Sequence, residues 1–417
     1  MAEFRSTTRY LPASLQNRWE TATFLALAGS ISLVLVSIAV SQILLAAAIA
    51  GSIYLLKQQK YPLGIRVFVP LLAYMIWTLI AAAASSDPAR GILTSKKFYL
   101  YLLLAIVPFV LRGAGRIVWT YRAIFAVAII SSVAGIVQFA ANPERDLLHR
   151  ISGFMGHWMT YSGLLMLALV LLASYAIGYG LRRQLWAFPA AGLIIAALLL
   201  SQTRNAWLGA LAGICLLVII WRPKALILLI PGVMVFYFLS PGMVKQRIQT
   251  GMNPADPNTR NRIELFETSV RLIQDNPWFG VGPRLVSEEA LRYRGNNDFP
   301  DVLYIHMHNN FLQIAAESGI PGLILWLWFM GQLAWDALLC YRRTAAQSGF
   351  RNEAARREAL TASSAALASW AALISAGMFE YNFGDSEVLT LFLFITGAPY
   401  ALLTPSRQHS ESLTVPM

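Results

Sequence analysis

WAFPAAGLIIAALLLSQTRNAWLGALAGICLLVIIW, residues 186–221, holds two apolar runs, 186–201 and 205–221, on either side of Ser201-Gln202-Thr203-Arg204-Asn205. Arg204 is its only charged side chain. Runs of about 17–25 apolar residues match the thickness of a bilayer when wound into a helix. A strand of that composition would leave its backbone groups unpaired in lipid, so each run is expected to be a helix. The stretch therefore reads as a helical hairpin whose short polar turn meets one membrane face.

The same pattern repeats along most of the chain. Spans are expected at about 21–38, 40–56, 66–84, 98–111, 117–139, 159–180, 186–201, 205–221, 225–240, 319–339, 360–379 and 386–403. Period-2 alternation is weak, which argues against a barrel. The 417 residues are 57% apolar and 13% charged, with a mean hydropathy of +0.55. A soluble chain carries about 25% charged residues. The fold class expected is thus an all-α polytopic membrane protein of about twelve helices, with residues 1–417 as one integral membrane domain. An even number of spans puts both termini on one side. With that side cytoplasmic, Lys and Arg in short loops divide 19 inside to 6 outside, as the positive-inside rule requires. The net charge of +12 has its explanation there, and no nucleic-acid motif appears between the spans. Arg5, Arg9 and Arg18 precede the first span without a cleavage-site pattern, so that span is expected to be retained. Cys215 and Cys340 fall on different spans, which favours neither a disulfide nor a zinc site.

Residues 241–318 form the one long external loop, and a loop of that length usually carries function or structure of its own. Within it, Ile263, Phe266 and Val270 recur at helical spacing. Asn261 with Glu264 fits a capping pattern, and Pro277 fits a stop. The segment reads as an amphipathic helix on the outer membrane face.

Polar chemistry gathers where spans meet that outer face. Arg204 is either a headgroup-seeking side chain or the partner of an anion. Arg260 and Arg262 open the amphipathic helix, where a planar guanidinium suits bidentate phosphate binding and a helix N-terminus adds donors. A solvated basic face is the competing reading. His306-Met307-His308-Asn309-Asn310 precedes the tenth span. Its two histidines at i, i+2 would point apart on a helix and lack a Cys, Asp or Glu at ligand spacing, which disfavours a metal. An interfacial histidine is usually structural, but a place at a helix start on the same face as the arginines favours a catalytic base. Glu380-Tyr381-Asn382-Phe383-Gly384-Asp385-Ser386-Glu387 forms the last external turn. Its carboxylates suit sugar hydroxyls, arginine partners, a helix cap or, as the minority reading, a divalent ion.

These residues together resemble the O-antigen ligase/polymerase family of bacterial envelope glycosyltransferases. The matching pieces are Ser201-x-Thr203-Arg204, Arg262-x-x-x-Phe266 leading to Pro277-Trp-Phe-Gly280-Val-Gly282, and the turn from Asn382 to Glu387. Most specific is His308-Asn309, nine intervening residues, then Gly319-x-x-Gly322. Phe266 stands where members usually carry Trp. The resemblance implies a GT-C-like architecture of many helices in the inner membrane of a Gram-negative cell, with membrane lipid around it. It implies an undecaprenyl-pyrophosphate-linked O-antigen as donor and a lipid A–core sugar as acceptor, joined on the periplasmic face without cofactor or metal. In that frame His308 is the expected base, and Arg204 and Arg262, with Arg260, hold the pyrophosphate. His306, Asn309, Glu380, Asn382 and Asp385 support or orient the substrates. O-antigen polymerase and protein O-oligosaccharyltransferase share the family. A lipid-linked glycan transporter is the reading from a different class, and it calls for midplane charges and inverted repeats that the sequence does not display.

Overall fold

The quoted hairpin forms as expected. α8 (Ala187–Leu200) and α9 (Arg204–Trp221) flank a tight turn in which Gln202 takes a left-handed φ of 53°. The computed structural model describes residues 18–58, 66–112, 115–142, 149–239, 242–251, 253, 256–295, 299–346 and 353–403, and every regular element among them is helical. Arg5, Arg9, Lys60, Arg145, Arg351 and Arg407 of the charge count lie outside the described residues.

Before the hairpin come α1 (Arg18–Leu33), α2 (Ile38–Gln58), α3 (Phe68–Ala83), α4 (Pro88–Thr94), α5 (Leu103–Val110), α6 (Arg116–Ala141) and α7 (Trp158–Tyr179). After it come α10 (Leu229–Leu239), α11 (Gly242–Gly251), α12 (Pro257–Asp275), α13 (Val286–Tyr293), α14 (Asn310–Ala346), α15 (Glu353–Gly377), α16 (Ser386–Gly397) and α17 (Tyr400–Leu403). Among the described residues, seven helical stretches are long and apolar enough to cross a membrane: Ile38–Lys57, Pro88–Val110, Arg116–Ala141, Trp158–Tyr179, Arg204–Trp221, Asn310–Ala346 and Glu353–Gly377. Four are apolar but shorter: Phe68–Ala83, Ala187–Leu200, Pro223–Met234 and Ser386–Leu402. α1, at 16 residues, is in neither group. α7 and α15 pack against each other at the centre, and both touch α9 and α16.

Three boundaries differ from expectation. The fourth expected span begins at Pro88, ten residues early. Asp87 caps it by accepting from the Arg90 N–H, and a 3-10 stretch, Ser95–Leu102, carries it into α5. The ninth is a 3-10 turn, Pro223–Leu228, followed by α10, whose main packing is on that turn. The tenth starts at Asn310 and is broken at Gly319 (φ 71°, ψ 178°).

The long loop is a small folded unit. α12, α13, the 3-10 turn Asp301–Ile305 and the start of α14 enclose a core of Leu265, Leu272, Val281, Leu285, Val286, Ala290, Tyr304, Met307 and Ala316. The turn after α12 is stitched to the break in α14 by backbone bonds: Val281 N–H to Ala316 O (2.8 Å), Gly282 N–H to Glu317 O (3.0 Å) and Ile320 N–H to Pro277 O (2.8 Å). A Cβ on Gly319 would lie 2.0 Å from the Trp278 carbonyl oxygen, and one on Gly280 (φ 64°) 2.4 Å from that of Ala316. The two glycine motifs of the sequence are therefore the two sides of one backbone contact, which only glycine permits. That contact fixes the start of α14 against the arginine helix α12. Further along α14, the buried Asp336 accepts from Tyr400 Oη (2.7 Å) and Gln332 Nε2 (2.8 Å), so its carboxylate is satisfied between helices. Cys215 and Cys340 are both free thiols.

Candidate functional site

Side chains, not a regular ladder, hold the segment between the 3-10 turn Asp301–Ile305 and α14. Met307 N–H donates to Gln313 Oε1 (2.7 Å), and His308 N–H donates to His306 Nδ1 (3.2 Å). Asn309 Oδ1 accepts from Phe311 and Leu312 N–H (2.8 and 3.1 Å), and its amide donates to Met378 O (2.8 Å). Asn309 thus caps α14 and ties it to the end of α15. His308 itself has φ 44°. Left-handed backbone at a non-glycine residue costs of order 1–3 kcal/mol and persists where neighbours enforce it.

The His308 ring reaches Glu380, 72 residues on: Nδ1 lies 3.0 Å from Oε2. His306 Nε2 is 3.7 Å from Oε1 of the same carboxylate, and Tyr381 N–H donates to it at 3.1 Å. Burial pushes Glu380 up, but the hydrogen bond from His308 and the two imidazoles that face it outweigh burial and hold the carboxyl below its ordinary range. Glu380 is therefore an acceptor. His308 Nδ1 carries the proton it donates, and Nε2 keeps its lone pair, an orientation of the kind a carboxylate imposes on a catalytic histidine. Burial drives His306 down to about 4, so it stays neutral at pH 7. Its Nδ1 accepts from the backbone, which puts its own proton on Nε2, facing Glu380.

His306, His308 and Glu380 also place three ligand-type atoms within 4.8 Å of one another. The carboxylate that spacing along the chain did not supply thus arrives from the turn between α15 and α16. A metal on His306 Nε2 would need the ring proton moved to Nδ1, where it would oppose the His308 N–H. Binding an ion there would break the bond that shapes the His308 turn.

Next to this pair is a cavity of 100 Å³ lined by Arg150, Arg204, Arg247, Arg262 and His308, with no acidic side chain among its described lining residues. Arg204 donates to the Arg247 carbonyl (3.3 Å) and Arg247 to that of Gln202 (3.4 Å), which locks α11 onto the hairpin turn. The Arg262 guanidinium sits over Phe379 (5.5 Å) and that of Arg150 over Trp158 (4.5 Å). Burial, with the Arg204 and Arg150 charges beside it, pushes Arg247 down to about 10. Burial and Arg204 do the same to Arg150. Burial also lowers Arg262, with Glu380 opposing and Arg204 adding. Asp256 offsets part of the lowering at Arg204 and Arg247, and a cluster of like charges of this kind is one that a polyanion would complement.

The structure brings together Arg204, Arg262, His306, His308 and Glu380 of the expected residues. Arg260 is exposed and lines neither this cavity nor the groove below. α12 begins at Pro257, four residues before Asn261, so Arg262 lies in its second turn and the helix N-terminus is not its partner. Glu264 is no capping residue. It is buried and accepts from Thr268 Oγ1 (3.0 Å), Gly295 N–H (2.8 Å) and Tyr304 Oη (3.1 Å). Asn382 accepts from the buried Asn310 Nδ2 (2.7 Å), and Asp385 caps α16 while accepting from Thr160 (2.5 Å). Neither lines the arginine cavity or the groove below. Arg150 and Arg247 were not singled out from sequence, since each reads as an isolated loop cation.

Sharing Arg204, Asn205, Arg262 and His308 with the arginine cavity is a groove of 1290 Å³. Leu198, Trp207, Leu211, Met234, Phe238 and Phe266 are among its walls. It runs between α8 and α9 on one side and α10 and α12 on the other. No curated protein matches the chain in sequence. Residues 189–327, which carry Arg204, Arg247, Arg262 and His308 but neither Arg150 nor Glu380, match the family model described as O-antigen ligase.

Proposed function

We propose that the chain is an O-antigen ligase. It moves O-antigen from undecaprenyl pyrophosphate to a sugar hydroxyl of lipid A–core on the periplasmic face of the inner membrane. The observation that carries this reading is the junction of three environments at His308: a cavity lined by four arginines, an apolar groove, and a carboxylate-oriented imidazole. A polyprenyl pyrophosphate has the matching parts, an apolar tail joined to a diphosphate. Twelve spans in one domain, with cytoplasmic termini, put His308 and the arginines at the outer face.

The acceptor hydroxyl oxygen attacks the anomeric carbon of the donor sugar. Its proton goes to His308 Nε2 while the bond from that carbon to the pyrophosphate oxygen breaks. Negative charge develops on the leaving group, where Arg204 and Arg262, with Arg150 and Arg247, stabilise it. Base and leaving-group cage act on opposite sides of the carbon, which favours inversion. No metal enters the scheme. Purified protein is expected to keep its transfer rate in excess EDTA. Loss of activity restored by a divalent ion would turn His306, His308 and Glu380 into ligands.

Lipopolysaccharide gels of a deletion strain test the reading. A ligase loss removes all ladder bands and leaves free core. A core carrying one repeat would mean the same site serves an O-antigen polymerase.

A further inference from the structure

We infer that His306 is a positioning residue for His308, acting through its Nδ1 on the His308 backbone. The inference rests on the base assignment above and deepens it. His308 has a left-handed φ of 44°, and its N–H points at Nδ1 of the ring two residues earlier, 3.2 Å away. This is the turn that an asparagine side chain makes when its oxygen accepts from the N–H at i+2. Here an imidazole replaces the amide. The rings of His306 and His308 are 4.1 Å apart, and His306 lines neither the arginine cavity nor the apolar groove. The groups around it are Glu380, His308, His157 and Arg284, and no arginine of the cage faces it. It is thus placed to shape the turn that aims His308 and not to touch the donor. Its Nε2 is 3.7 Å from Glu380, beyond hydrogen-bond length, so the backbone contact is the stronger link.

Side-chain geometry separates the two nitrogens. Asparagine carries its oxygen on Cγ, as histidine carries Nδ1, and can accept from the His308 N–H. Glutamine extends one atom further and mimics Nε2 instead. Measured on the purified full-length chain, His306→Asn is expected to keep most of the wild-type kcat. His306→Ala and His306→Gln are expected to lose about 10²-fold in kcat, the cost of a reacting group displaced by about 1 Å. The donor KM should be unchanged in all three, because the cage is intact. His308→Ala is run beside them. If Asn is as impaired as Ala, if Ala equals wild type, or if the donor KM rises with the loss, the positioning role is overturned while an inactive His308→Ala keeps the base in place. If His308→Ala stays active, the base assignment falls and the positioning role falls with it.

Discussion

Replacing His308 with alanine is expected to slow glycan transfer by about 10²–10⁴-fold, the usual contribution of a positioned general base, and to leave binding of the lipid-linked donor close to wild type. The separation follows from the geometry. His308 is one wall of the cavity, but the positive charge available to a diphosphate there belongs to Arg150, Arg204, Arg247 and Arg262. A base acts on the acceptor proton in the chemical step, so its loss should appear in kcat. Donor affinity measured on the detergent-purified variant also reports that the fold has survived. Near-normal transfer by this variant would show that His308 is no base.

The second large effect lies in the cage. Arg204→Ala and Arg262→Ala are each expected to weaken donor binding by about 10-fold or more. A hydrogen bond to a charged group contributes roughly 1.5–3 kcal/mol, and about 1.4 kcal/mol is a factor of ten. Arg→Lys at these positions keeps the charge but loses the planar fork, so it should recover only part of the affinity. Arg260→Ala is the matched control. It is two residues from Arg262 and on the same helix, yet exposed and outside the cavity. It should bind donor normally. Equal effects at 260 and 262 would mean a diffuse basic surface and not a built site.

What could be read from the chain alone follows the physics of each part. Long apolar runs demand helices in lipid, so α2, α6, α7, α9 and α15 stand within a few residues of their expected limits, apart from the polar first turns of α15. Interrupted runs were harder. Pro223 and the 3-10 turn break what composition alone makes one span, and Lys96 and Lys97 hide the helical stretch that starts at Pro88. Asn261 and Glu264 have the letters of a cap. Glu264 is instead drawn inward by Tyr304 and the Gly295 N–H, partners more than thirty residues away. The candidate residues were legible because polar groups at one membrane face have few reasons to be there. Their grouping was not, because Glu380 meets His308 only through the packing of α14 on α15. Arg150 and Arg247 acquire meaning only when the loop before α7 and the helix α11 close on the hairpin turn at Arg204.

Reconstitution tests the central claim most directly. The purified chain in proteoliposomes is given a polyprenyl-pyrophosphate-linked glycan and lipid A–core, and both products are followed. The account predicts that glycan appears on lipid A–core in step with release of polyprenyl pyrophosphate, with wild-type protein and not with His308→Ala. Glycan that joins only to a second donor molecule, or donor that is consumed equally by both proteins, would contradict it.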